Sequence, residues 1–334
     1  MDPLSQGVMG AALPQSTLNY KSKPWVIFII GFFSGMAPDL DIFIKSNSDP
    51  LLFLEYHRQF THSLIFIPIG GFICASFFWL LLKKYFSSNF TKIWIIATLG
   101  YGTHGLLDAC TSYGTLLLWP FSNERFAWNN ISIVDPLFTL PTLLLLIISI
   151  LKNKKIYSQI ALAWALLYLT TGLIIHNEIK KRAMILAESR NHKIESLSVK
   201  PTLGNLMLWK TIYEYDGYFY TDGIRIFPSK KIIQGTKIKK LNISNDLIWL
   251  NHNSQQAIDL NRFNWFSSNH LAVSKSNPNL IIDARYSILP NEISGLWGIE
   301  LKKEANQSDH VKFVSNRSLT QKPLEQLWDM IWQN

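Results

Sequence analysis

The chain has 334 residues, of which 48% are hydrophobic and 16% charged, with a formal net charge of +9. This length allows two folded units of roughly 100–200 residues each, and the charged share falls well below the roughly 25% typical of soluble domains. Much of the basic excess sits in short gaps between apolar runs, which argues against nucleic-acid binding and for a role in setting membrane orientation.

Residues 1–20 are mildly apolar, with Gly7, Gly10, Ala11 and Ala12 ahead of Pro14, and read as a half-inserted or re-entrant helix. Five stretches then approach the roughly 20 apolar residues that a membrane helix needs: Trp25–Ile44, His62–Leu82, Lys92–Cys110, Ile133–Leu151 and Tyr157–His176. The first is interrupted by Pro38, Asp39 and Asp41 near its end, so four to five spans are expected. It does not read as a cleaved signal, because the small-residue cleavage pattern is missing and more apolar runs follow. Cys74 and Cys110 lie inside apolar runs and read as packed thiols.

With Lys21 and Lys23 inside, the alternation also places Lys83, Lys84 and Lys92, then Lys152, Lys154 and Lys155, on the cytoplasmic side. Residues 45–61, residues 111–132 and everything after His176 then face outward. Lys180, Lys181 and Arg182 violate the rule locally, which a translocated folded domain tolerates.

Composition shifts near residue 177, giving an expected division into a transmembrane domain (1–176) and an extramembrane domain (177–334). In the second, Leu206–Tyr213, Tyr218–Tyr220 and Ile224–Ile226 read as strands joined by tight turns at Asp216-Gly217 and Asp222-Gly223. Leu280–Asp283 and Leu296–Leu301 read as further strands. Leu324, Leu327, Trp328 and Ile331 share one face of a terminal helix begun by Pro323. The expected fold is an α-helical polytopic bundle with a C-terminal β-rich domain.

Ionisable side chains inside membrane helices cost on the order of 3 kcal/mol each, so their placement carries information. Asp39 and Asp41 follow Pro38 at the end of the first run, and His57, Arg58 and His62 lead into the second. His104 and Asp108 close the third, and Asp135 opens the fourth. All arrive at the outer face. His104 and Asp108 are four apart on one helical face, the spacing of two ligands or of a ligand and its orienting carboxylate. Taken alone, each cluster has an ordinary explanation: a hydrogen-bonded helix tie, a helix cap or an interfacial side chain. Their convergence at one depth points to a shared ionic site, and imidazole with carboxylate suits zinc, iron or manganese. The candidate metal ligands are Asp39, Asp41, His57, His62, His104 and Asp108, holding one or two divalent ions, zinc first among them. Asp39, Arg58, Asp108 and Asp135 are the candidate catalytic or supporting groups. Arg58 would bind an anion or pair with Glu55, and Asp135 would support from behind.

The series Met1-Asp2-Pro3-Leu4-Ser5-Gln6, Pro38-Asp39-Leu40-Asp41, His57-Arg58 with Thr61-His62-Ser63, His104 with Asp108, Thr111 with Gly114, and Trp119-Pro120-Phe121 resembles the YdjM-type inner-membrane metal-dependent hydrolases. The likeness covers about the first 140 residues. It implies a bacterial cytoplasmic-membrane protein with metal-dependent hydrolytic activity. One departure stands out: the family pattern near the start reads Asp-x-x-Thr-His, and here the last two positions are Ser5 and Gln6. The functional expectation is a membrane-bound metal-dependent hydrolase acting at the outer face on a lipid-linked or phosphoester substrate, with membrane lipid as its surroundings. The alternative is a non-catalytic transporter or scaffold with a structural His/Asp cluster.

Overall fold

Apolar runs become helices, and their ends are set by local chemistry. The computed structural model describes residues 1–18, 23–82, 90–316 and 321–333. The orientation-setting Lys21, Lys83 and Lys84 lie outside the described residues. The chain divides into two compact units. Met1–Phe43, Tyr56–Ile175 and Leu203–Asn205 form one; Ile44–Glu55, His176–Thr202 and Leu206–Asn334 form the other.

The helices of the first region are α1 (Pro3–Thr17), α2 (Pro24–Met36), the short α3 (Leu52–Tyr56), α4 (Ile67–Leu82), α5 (Phe90–Cys110), α6 (Pro136–Lys152) and α7 (Ile156–Ser189). Among the described residues, three stretches are long and apolar enough to cross a membrane: Pro24–Phe43, Leu64–Leu81 and Ile156–Ser189. α6 is apolar but shorter, because Asp135 and Pro136 start it late. Asp135 caps it by accepting from the Phe138 N–H, and Pro136 needs no amide partner there. The run from Trp25 leaves α-helix at Met36 and tightens into a 3-10 turn over Ala37–Phe43, which turns Asp39 and Asp41 away from the helical register.

α1 is a complete helix of 15 residues capped by the Asp2 side chain. It packs against α2 and α5 through glycines. A Cβ at Gly10 would meet the Gly31 carbonyl at 2.4 Å, and one at Gly100 would meet the same oxygen at 2.6 Å. Gly31 and Gly35 are four apart on α2, the small-xxx-small spacing that lets membrane helices approach closely. The helices alternate in direction: Met1 and Gln6 lie by Asp108 at the end of α5, whereas Gln15 bonds the Pro24 carbonyl at the start of α2. One end of the bundle therefore collects Met1, Asp39, His62 and Asp108. The opposite end carries Lys23, Lys92, Lys152, Lys154 and Lys155 at helix termini or in the short gap between helices.

The second unit contains two antiparallel sheets. β1 (Ser196–Pro201), β2 (Leu208–Tyr215), β3 (Tyr218–Arg225) and β4 (Lys231–Ile233) pair in order, and β5 (Lys237–Lys239) also pairs β3. β6 (Leu271–Val273), β7 (Leu280–Asp283), β8 (Trp297–Glu300) and β9 (Lys312–Ser315) form the other sheet. Ile212, Phe219, Ile238, Ala272, Leu280 and Ile282 share one core. α8 (Ile243–Asp246) and α9 (Gln255–Phe266) lie between the sheets in sequence, and α10 (Gln321–Trp332) closes the described chain. Asp216 and Gly217, both at positive φ, make the β2–β3 turn as expected. Asp222-Gly223 is no turn: it lies inside β3, where Asp222 is buried and accepts a forked pair of bonds from Arg190.

Candidate metal centre

Four side chains from three elements converge at the site end of the bundle. Asp39, His62, His104 and Asp108 each offer a donor atom, all within 4.8 Å of one another. His104 and Asp108 come from the last two turns of α5, His62 from a 3-10 turn before α4, and Asp39 from the 3-10 turn after α2. Those irregular turns follow from Pro38 and from the Thr61-His62-Ser63 break, and they aim side chains that a regular helix would direct elsewhere.

Hydrogen bonds fix both histidines in one tautomer. His104 Nδ1 lies 2.6 Å from the Gly35 carbonyl, which can only accept, so Nδ1 carries the proton. His62 Nδ1 faces Asp41 Oδ2 at 3.2 Å and Thr61 Oγ1 at 3.0 Å, and the Thr61 hydroxyl itself donates to Asp41 Oδ2 at 2.7 Å. His62 Nδ1 is thus a donor as well. With both imidazoles neutral, each Nε2 is free to ligate, and the two lie 2.9 Å apart. A cation held between them would take both lone pairs.

Carboxylates complete the surround. Asp39 Oδ1 is 3.4 Å from His62 Nε2 and 3.3 Å from His104 Nε2. Asp108 Oδ2 is 3.4 Å and 4.0 Å from the same two nitrogens. Bonds of about 2.1 Å to a tetrahedral ion put neighbouring donors roughly 3.4 Å apart, so the four atoms are spaced for one ion with little movement. Asp108 Oδ2 is buried and faces the Arg58 guanidinium, with Nε at 3.0 Å, and Gln6 Oε1 is buried without a hydrogen-bond partner among the described residues. A buried His/Asp cluster able to chelate one divalent ion is therefore present, and the residues fit such an ion.

The remaining expected residues divide. Asp41 spends both oxygens on donors: Oδ1 takes His57 Nδ1 at 2.7 Å, and Oδ2 takes the Arg58 N–H at 3.1 Å besides Thr61 and His62. His57 is grouped with Asp39 and Asp41 as a second set of neighbouring donors, and its ring is partly exposed. Arg58 is buried, with Nε 3.0 Å from Asp108 Oδ2, Nη1 bonded to Thr111 and its guanidinium over the Tyr113 ring. It does not meet Glu55, which pairs with Arg262. Asp135 stands apart: it caps α6 and accepts from the Tyr168 hydroxyl at 2.8 Å. Gln6 reaches the site, as its Nε2 donates to Asp108 Oδ1 at 2.8 Å, and the amino group of Met1 contacts the same oxygen.

Sequence reasoning missed the parts that act through the backbone. The Gly35 carbonyl carries no side-chain signal, although the Gly31-to-Gly35 spacing could have drawn attention to that stretch. It also missed Asp49, Asp259 and His310 in the second unit. There the Arg262 guanidinium lies between the acids, bonding Asp49, Glu55 and Asp259. That group is a closed ion-pair network.

A bundle with three membrane-length apolar helices and a buried His/Asp cluster at one end defines a membrane protein with a metal-type centre. Residues 1–179 match the sequence model of the family described as YdjM inner membrane protein, which is more than half of the chain, and the chain belongs to that family. It is also 29% identical over 120 residues to the inner membrane protein YbcI of Escherichia coli (strain K12), covering 35% of this chain and 67% of that protein. No solved structure matches.

Proposed function

We propose that this protein is a membrane-bound metal-dependent hydrolase whose centre faces the outer side of the inner membrane. The observation that carries the proposal is the pair of imidazoles locked with Nδ1 protonated, their Nε2 atoms converging with Asp39 and Asp108 on one point. Asp39, His62, His104 and Asp108 hold the ion, and zinc suits their nitrogen and oxygen donors. Asp41 orients His62 and His57, and Arg58 balances Asp108. A divalent ion held there supplies an acidified water and a positive charge for a phosphoryl or acyl oxygen. The Asp39 side chain, 22% exposed where His62, His104 and Asp108 are fully buried, marks the side from which substrate enters.

A centre at a helix end favours a substrate whose scissile group sits near the headgroups, such as a lipid-linked phosphoester. α5 and α6 join the three helices that are both long and apolar enough to span, giving five, and residues 177–334 form a periplasmic domain. The basic helix ends opposite the site support this orientation. A reporter fused after Asn334 is expected to behave as periplasmic and one at Lys154 as cytoplasmic; the reverse pattern overturns the assigned face.

The direct test is elemental analysis of the purified full chain beside His104→Ala, with hydrolysis of generic phosphate and acyl esters measured in parallel. Bound metal lost in His104→Ala, with metal-dependent turnover in the parent, is the expected result. Equal metal in both removes His104 from the centre. No metal in either supports a non-catalytic scaffold.

A further inference from the structure

α10 has an apolar arc wider than the surface it packs on. Leu327 and Ile331 are buried against Leu208 and Leu289. The adjacent line Leu324, Trp328 and Trp332, spaced by four, is exposed at 37%, 64% and 42%. The two indoles lie 5.7 Å apart along this ridge. Arg225 fastens the far end of the helix by donating to the carbonyls of Met330, Ile331 and Gln333, and it also bonds Ser229. That brings the turn after β3 to the helix end, with Phe227 and Ile232 exposed and Lys230 and Lys231 beside them.

We infer that this ridge is a lipid-docking surface, and that what covers it is the headgroup layer of the protein's own membrane. Three observations favour lipid. The same chain carries apolar helices of membrane-spanning length, so the unit bearing α10 is tethered at a bilayer. Tryptophans with an apolar body and a single N–H donor prefer the membrane interface. Exposed Lys230 and Lys231 supply positive charge that attracts anionic phospholipid at the helix's far end, while Lys322 accompanies Glu325 and Asp329, which border the same face as Leu324 and Trp328. This inference is independent of the metal centre.

The test uses full-length protein in vesicles of phosphatidylethanolamine and phosphatidylglycerol. Trp328→Cys and Trp332→Cys, each labelled with an environment-sensitive fluorophore, are compared with Ser276→Cys at an exposed turn between β6 and β7. Labelled parent protein measures the background from Cys74 and Cys110. Expected are a blue-shifted emission at 328 and 332, quenching there by a nitroxide-bearing lipid, and loss of quenching by aqueous iodide, with the opposite pattern at 276. Iodide quenching at 328 and 332 equal to that at 276 overturns the inference. So does protection from both quenchers, which would mean that a protein surface or a second copy covers the ridge.

Discussion

Asp41→Asn separates orienting from ligating. Asp41 bonds His57 and His62, and its Oδ2 sits 3.2 Å from His62 Nδ1 and 2.7 Å from the Thr61 hydroxyl. An asparagine keeps the shape, but it removes the negative charge and, at the Oδ2 position, puts an N–H₂ against three existing donors, the Arg58 N–H, the Thr61 hydroxyl and His62 Nδ1. His62 is then free to swap tautomer and turn a protonated Nε2 toward the centre. Loss of such an outer partner typically costs about 10–100-fold in metal affinity, or about 1.4–2.7 kcal/mol at 1.36 kcal/mol per decade. Competition against a fluorescent zinc chelator in detergent reads this directly. Asp41→Asn should fall between parent and His104→Ala, which loses a donor outright. Affinity equal to the parent's would show that Asp41 does not hold His62. A loss as large as that of His104→Ala would make Asp41 a ligand.

Gln6→His places an imidazole beside Asp108 Oδ1 and should tighten metal binding at least about tenfold, since imidazole outdoes an amide oxygen for zinc; unchanged affinity would put residue 6 outside the ion's reach. Gly31→Ala puts a Cβ 2.5 Å from the Gly10 carbonyl and 2.9 Å from Pro14 Cγ, which should destabilise by about 1–3 kcal/mol in thermal unfolding, whereas Gly102→Ala meets only Ile67 side-chain atoms at 3.3 Å or more and should be tolerated. Lys210 is buried and its amino group donates to the Ser287 hydroxyl and the Pro290 and Glu292 carbonyls, and burial pushes its pKa down to about 7. An unfolded chain holds that proton up to about pH 10.4, so stability of the second unit should rise between about pH 7 and 10, and Lys210→Met should flatten the rise in thermal melts.

The cluster was legible because charge in an apolar run is costly and therefore visible. Asp39, His62, His104 and Asp108 each interrupt or end such a run at one depth, and the structure brings them together. Asp135 shares that depth, yet an aspartate before a proline at a helix start also caps a helix, and here capping accounts for it. Separating Asp41 from Asp39 needed the 3-10 turn, since residues two apart point differently in that geometry than in an α-helix. The tautomer lock by Gly35 was illegible, because a carbonyl oxygen looks alike at every position. Asp222-Gly223 misled for a related reason: the pair favours turns locally, but the distant Arg190 fixes it inside a strand.

The glycine crossing also bears on how copies of this protein could associate. A glycine pair four residues apart on a membrane helix commonly marks the face through which two identical chains dimerise. Here Gly31 and Gly35 are already occupied within one chain, by Gly10 of α1 and, at Gly31, by Gly100 of α5. Self-association through α2 would require this chain to release its own first helix, and with it Gln6 and Met1 from Asp108. Any homodimer that keeps the centre intact must therefore form through a surface other than this glycine face of α2.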